Sequence, residues 1–288
     1  MKKKNWFALL LTAALSLSLM AGCGGSQPSD STDSGDNADA PAASESRLDK
    51  VLKAGKITNV CEPYFAPYEF IDNTKSGQEQ FRGADMELAR YIAKELGVEL
   101  EIVPLEWSAV LTGVGAGKYD MAVAGMAYTP ERAETMAMSK VYKPGGDQGL
   151  LVPADKVDEY NSLADFAGKR VGFQSGTVQE QNVLTQLPDS EPVTFDIIQN
   201  AVLALDSGKV DAVSVSVPNG EMFVSTNPKL AVSSVLFDNS MNGNVIGFPK
   251  GETELVDAVN KIIDQVLEQG LYDQWLEEAT AEAEKLGL

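Results

Sequence analysis

Twice along the chain a helix-like segment runs into a Gly-Lys-X-Asp turn and straight on into an apolar run. Ala116-Gly117-Lys118-Tyr119-Asp120-Met121-Ala122-Val123-Ala124 has the layout of Ser207-Gly208-Lys209-Val210-Asp211-Ala212-Val213-Ser214-Val215, and Gly55-Lys56 before one strand is echoed by Gly168-Lys169 before another. A glycine that closes a helix, followed by a strand with few polar residues, is the punctuation of α/β structure. Helix-period and strand-period segments alternate through the chain, which predicts parallel pairing with helices on both sheet faces. The echo predicts two similar α/β units.

In chain order the pattern predicts a short helix at 48–54, a strand at 57–60, helix 84–96, strand 98–103, helix 109–116 and a strand over 121–124. The apolar residues 149–152 mark a crossing into the second unit. There a short helix at 162–167 precedes strand 170–173, a helix from Thr177 to residue 187, strand 195–198, helix 199–205 and strand 212–217. Thr177 and Glu180 fit a capping box. A strand-like piece at 245–248 and helices 252–269 and 272–286 close the chain. Between the first strand and the helix at 84 lies a stretch with Pro63, Tyr64, Phe65, Pro67, Tyr68 and Phe70. It reads as a loop that either packs over the core or faces a ligand.

The N-terminus is of another kind. Lys2-Lys3-Lys4 and an apolar stretch of about 14 residues, 7–20, form a secretory signal too short to stay as a membrane-spanning helix. Its end, Leu19-Met20-Ala21-Gly22-Cys23, resembles the lipobox of bacterial lipoproteins, which implies cleavage after residue 22 and acyl chains on Cys23 that anchor the protein to a membrane face. Residues 24–45 lack any large apolar side chain and are expected to be a flexible tether.

The formal charge is −19, and removing the signal with its three lysines makes it −22. Such a surface argues against nucleic acid as a partner. Histidine is absent, which removes Ser-His and Cys-His catalysis and histidine metal sites; no metal and no cofactor are expected. With Cys23 lipidated, Cys61 has no partner for a disulfide and is expected to be a small buried hydrophobe.

One junction invites a ligand. The run 121–124 ends at Gly125, and Thr129-Pro130 reads as an N-cap followed by proline at the first helical position, which puts Arg132 in the first turn. Helix N–H groups already make a positive field there, so a cation needs an anion beside it. That anion is either a neighbouring acid such as Glu131 or Glu134, or a ligand carboxylate held by a bidentate guanidinium.

With these pieces in place, residues 48–275 resemble the family-3 extracytoplasmic solute-binding proteins of polar amino-acid ABC transporters. The resemblance rests on Ala66-Pro67-Tyr68-Glu69-Phe70, Gly83-Ala84-Asp85-Met86-Glu87-Leu88, Tyr119-Asp120, Gly125 with Thr129-Pro130-Glu131-Arg132, and Ser175-Gly176-Thr177. It implies a two-lobed α/β fold of the type II periplasmic-binding kind, two parallel-dominated sheets joined by two hinge strands. Lobe 1 would be 46–144 with 244–288, and lobe 2 145–243. Closure of the lobes would bury the ligand.

The resemblance further implies that Arg132 holds the ligand carboxylate, helped by backbone groups near Gly125 and the Ser175-Gly176-Thr177 turn. Phe65 and Trp107 would sandwich its side chain, with Glu62 at the pocket edge, Gln174 at a position that varies with selectivity, and Ala127, Thr177, Val178 and Ser216 completing the lining. Two positions depart from the family: Ala127 stands where a Ser or Thr is usual, and Ser216 where an Asp binds the ammonium. Either another acid, Glu62 or Asp147, takes that charge, or the ligand lacks an α-ammonium. The implied function is a membrane-anchored, monomeric, non-enzymatic binding protein that delivers a small carboxylate-bearing solute to an ABC permease. The alternatives are a binding protein for a non-amino organic acid and an enzyme like the cyclohexadienyl dehydratases of this fold.

Overall fold

The computed structural model describes residues 45–238 and 243–288; the signal, Cys23 and nearly all of the tether lie outside them. Helix α1 (Arg47–Ala54) starts at Ser46, whose hydroxyl accepts from the backbone N–H of Asp49, and stops at Gly55 in the left-handed region. Strand β1 (Lys56–Cys61) follows. The stretch expected to be a loop is partly a small antiparallel sheet, β2 (Tyr64–Phe65), β3 (Glu69–Ile71) and β4 (Phe81–Arg82), with Phe65 opposite Glu69. Gly83 then sits at φ 122°, where a Cβ would lie 2.1 Å from the Tyr68 carbonyl oxygen, so only glycine lets this sheet lie so close to the helix that follows.

Helix α2 (Ala84–Leu96) buries Leu88, Ala89, Ile92 and Ala93 along one face and ends at Gly97. Strand β5 (Glu99–Pro104) pairs in parallel with β1. After α3 (Trp107–Gly115) the run expected to be a full strand contributes two bridges, Met121 in parallel to Asn59 and Ala122 antiparallel to Gly247. Then come α4 (Pro130–Thr135) and β6 (Met136–Met138).

The second part comprises β7 (Gln148–Pro153), β8 (Arg170–Gln174), α5 (Val178–Gln186), β9 (Glu191–Phe195), α6 (Ile198–Asp206), β10 (Ala212–Ser216), α7 (Val217–Thr226) and β11 (Leu230–Leu236). Their sheet order is β11-β7-β10-β8-β9. The parallel pairing expected from the alternation holds for β10-β8 and β8-β9, whereas β7 runs antiparallel to both β10 and β11, so this sheet is mixed. The chain then returns to pair β12 (Gly247–Pro249) with β6, and ends in α8 (Thr253–Glu268) and α9 (Leu271–Leu286).

Clusters of apolar side chains hold these parts. Phe70, Leu88, Ile92, Met121, Phe248, Val259 and Ile263 pack together in the first part, joined by Met222 from α7. In the second, Leu150, Phe166, Phe173 and Val183 fill one side of the mixed sheet and Ala201, Leu205, Val213 and Val215 the other. Each large side chain so buried contributes about 1.5–3 kcal/mol. Cys61 is buried in a further cluster with Val60, Met86, Ile102 and Val110: its thiol is pushed up by burial, and Sγ lies 3.8 Å from Met86 Sδ. Among the described residues no helix is long and apolar enough to cross a membrane, and no cluster of His, Cys, Asp or Glu is arranged to hold a metal ion.

Candidate functional site

Parallel strands deliver their carboxyl ends to one edge, where open α/β sheets place ligands. Glu62 follows β1, Gln174 ends β8 and Ser216 ends β10, and all three line one cleft of about 830 Å³, its solvent mouth included. Gly125, Ala127, Arg132, Phe65, Trp107, Thr177 and Val178 line the same cleft, so these ten residues expected at the pocket lie in one place.

Arg132 is held as the junction motif predicts. Thr129 caps α4 by accepting from the Arg132 N–H at 3.1 Å, and Pro130 opens the helix. Neither Glu131 nor Glu134 pairs with the guanidinium. Nη1 donates to the Ala127 carbonyl at 2.7 Å, Nη2 donates to the Gly176 carbonyl at 2.9 Å, and the group stacks 5.2 Å from the Trp107 ring. An edge of the side chain reaches solvent, yet burial lowers its pKa to about 10, so it remains a cation at neutral pH. Carbonyl oxygens orient this cation without neutralising it, and Arg132 lines the cleft.

The other walls are built with equal specificity. Trp107 Nε1 donates to the Gly176 carbonyl at 2.9 Å, and its backbone N–H donates to Glu62. Glu62 is buried and accepts from Gln174 Nε2 with both oxygens, at 2.9 and 2.7 Å; burial raises its pKa and these donors oppose the rise. Phe65 lies against Gly125, whose φ is 56° and where a Cβ would come within 2.8 Å of the ring. Thr177 caps α5 by accepting from the Glu180 N–H, but Glu180 closes the turn on the Gly176 N–H instead of on Thr177, so the capping box is displaced by one residue.

Ala127 has no hydroxyl, and its carbonyl serves Arg132 instead. Asp147, named as a substitute acid, is exposed and not part of the cleft lining. Glu62, the other acid named, does line the cleft, and a second buried acid that the sequence did not point to stands there with it. Glu69 from β3 is 1% exposed and lines the cleft. It lies beside Asp85 at the start of α2, and burial pushes its pKa well above the carboxylate range. Burial raises the Asp85 pKa too, but Asp85 accepts from the Gly125 N–H, Tyr142 Oη and Tyr272 Oη, and these three donors oppose the rise, so of the pair Glu69 is the one that more readily keeps a proton. Glu69 was visible within the Tyr68-Glu69-Phe70 motif, but nothing local marks it as buried. Lys143, Asn219, Ser214 and Gln148 also line the cleft.

The two walls touch directly: besides the Trp107 and Arg132 bonds to Gly176, Gln199 Nε2 donates to the Tyr64 carbonyl at 2.6 Å and Asn219 Nδ2 to the Ala66 carbonyl at 2.9 Å. A polar cleft between α/β layers, with a half-buried cation that has no carboxylate partner among the described residues, suits a small anionic or zwitterionic solute.

The chain is similar in sequence and fold to known proteins. The family model "Bacterial extracellular solute-binding proteins, family 3" matches residues 57–279. The ABC transporter arginine-binding protein 1 of Escherichia coli (strain K12) is 26% identical over 229 residues, covering 77% of this chain and 91% of that protein. The amino acid ABC transporter substrate-binding protein AbpA of Streptococcus pneumoniae Canada MDR_19A, solved with L-arginine bound, superposes with a TM-score of 0.77 at 34% identity, covering 82% of this chain and 98% of that one. The ancestral amino acid-binding protein AncCDT-1, a precursor of cyclohexadienyl dehydratase, superposes at 0.71 with 30% identity, covering 82% and 99%. The chain carries the type II periplasmic-binding fold and belongs to family 3 of the bacterial extracellular solute-binding proteins.

Proposed function

We propose that this protein captures a small L-amino acid in the cleft and presents it to an ABC permease, without chemical turnover. Arg132 carries the reading: it is a charged, largely buried guanidinium with no carboxylate partner among the described residues, and an amino-acid carboxylate supplies the missing anion. Phe65 and Trp107 flank the side chain of the solute, Gly125, Ala127, Thr177 and Val178 shape its carboxylate end, and Glu62 with Gln174 receives a polar or cationic side-chain tip. The arginine named for two of the similar proteins makes L-arginine the first solute to test. The lobes are 46–144 with 244–288 and 145–243, and the protein acts as a monomer held to the outer face of the membrane through a lipid on Cys23.

A second reading has its own support. Glu62 and Glu69 are buried carboxyls of raised pKa at one cleft, as a general acid requires, and one similar structure is a precursor of a dehydratase. One experiment separates the two. Full-length protein from the membrane fraction, released by detergent, is titrated calorimetrically with L-arginine, L-histidine and L-glutamine, and the solute is recovered afterwards. Saturable binding with unchanged solute is expected. Recovery of protein from the soluble fraction would contradict the anchor, and a chemically altered solute would establish the enzyme.

A further inference from the structure

Four buried polar atoms on the cleft lining have no hydrogen-bond partner: Glu69 Oε2, Ser214 Oγ, Ser216 Oγ and Asn219 Oδ1. Their residues are 1%, 0%, 6% and 2% exposed. Buried polar groups are nearly always satisfied, so four orphans around one cavity mark where a polar group of a ligand sits.

Three of the four are connected. Ser216 occupies the N-cap of α7 yet makes no capping bond, which leaves its hydroxyl free. Asn219 is three residues on, one helical turn away, and its Nδ2 is spent on the Ala66 carbonyl, so Oδ1 is left as a pure acceptor. Ala66 belongs to the turn of the hairpin in which Phe65 pairs with Glu69, which brings Asn219 to the Glu69 hairpin. Glu69 Oε2 in turn lies 4.0 Å from where a Gly125 Cβ would be, beside the junction that carries Ala127 and Arg132.

We propose that Glu69, Ser216 and Asn219 form the subsite for the α-ammonium of the bound amino acid, with Glu69 supplying the countercharge. This rests on the reading that Arg132 takes the α-carboxylate. A carboxyl oxygen, a hydroxyl and an amide oxygen offer three acceptors, and an ammonium has three N–H donors; a hydroxyl in its place would satisfy one of them. The groups around Glu69 leave this charge to it. Asp85 is committed to its three donors, Glu62 is held by Gln174, and the Cys61 thiol and Tyr142 hydroxyl stay neutral through burial. The Lys143 ammonium lies over the Tyr68 ring at 5.4 Å, donates to the Pro144 carbonyl and is drawn toward Asp85. Burial, with the charges of Asp85 and Glu62, raises the Glu69 pKa, and an entering ammonium lowers it, so the preference for an amino acid strengthens as pH rises.

The test measures binding of L-arginine, L-histidine and L-glutamine, each beside the 2-hydroxy acid with the same side chain. At least one amino acid should bind about 100-fold tighter than its hydroxy counterpart. Glu69→Gln, which keeps a donor toward Asp85, should reduce that preference to within about tenfold, and a melting temperature within about 4 °C of the wild type checks that the variant folds. Adding Ser216→Asp to Glu69→Gln should restore the preference by returning a carboxylate to the same corner. Equal affinity of amino and hydroxy acids in the wild type, or an undiminished preference in Glu69→Gln, overturns the subsite and leaves the binding function standing. Binding of none of the six compounds overturns the amino-acid reading itself.

Discussion

Replacing Arg132 by alanine is expected to weaken amino-acid binding by about 2–5 kcal/mol, a factor of roughly 30 to 5,000. The size follows from what the guanidinium faces. It is fixed by the Ala127 and Gly176 carbonyls and by the Trp107 ring, so it is preorganised before the solute arrives. Burial has already lowered its pKa to about 10, which means the cation has lost water without gaining an anion. A carboxylate entering the cleft therefore gains a charge-assisted, two-pronged contact and relieves that deficit. The same deficit predicts a second outcome: the ligand-free Arg132→Ala protein should melt at or slightly above the wild-type temperature. Arg132→Lys keeps the charge but cannot hold both carbonyls and a carboxylate in one plane, and its affinity should fall between the two. Calorimetry with L-arginine, L-histidine and L-glutamine checks the series; an alanine variant with wild-type affinity would remove Arg132 from the site.

Replacing Asp85 by alanine should produce the largest loss of stability, about 3–5 kcal/mol. Its carboxylate is fully buried and gathers the Gly125 N–H with the hydroxyls of Tyr142 and Tyr272. These donors come from the junction before α4, from the segment before β7 and from α9, so one side chain ties together parts of the chain far apart in sequence. Alanine leaves all three donors buried and unpaired and opens a void next to Glu69. For a chain of this size each kcal/mol shifts the melting temperature by roughly 2–4 °C, so thermal unfolding should show a fall of about 10 °C. Affinity should fall as well, because Gly125 is the hinge of the turn that aims Ala127 and Arg132. A variant that melts within about 2 °C of the wild type would contradict this role.

What could be read from the sequence was what the chain encodes locally. Helix α2 was bounded correctly because Leu88, Ile92 and Ala93 recur at helical spacing and Gly97 closes it. The Thr129-Pro130 start of α4 and the Gly-Lys turns were legible because caps and left-handed glycines are properties of two or three neighbouring residues. The strands β2, β3 and β4 were not, since two or three residues carry no period, and β11 was missed although it is seven residues long. Pairing through β7 turned an expected parallel sheet into a mixed one because strand direction is set by the route of the chain, which hydropathy does not record. Glu69 shows the same limit at the site: its setting opposite Phe65 in the hairpin and beside Asp85 of the next helix is a matter of tertiary packing, and its unpartnered oxygen becomes notable only once the surrounding polar groups can be accounted for.

The central claim is that the cleft receives the carboxylate of an amino acid at Arg132. A crystal structure of the protein with whichever of L-arginine, L-histidine and L-glutamine binds tightest tests it most directly. Both oxygens of the α-carboxylate are expected within about 3 Å of the Arg132 guanidinium, with the side chain between Phe65 and Trp107. A solute bound in the cleft with its carboxylate turned away from Arg132, or bound outside the cleft, would contradict it.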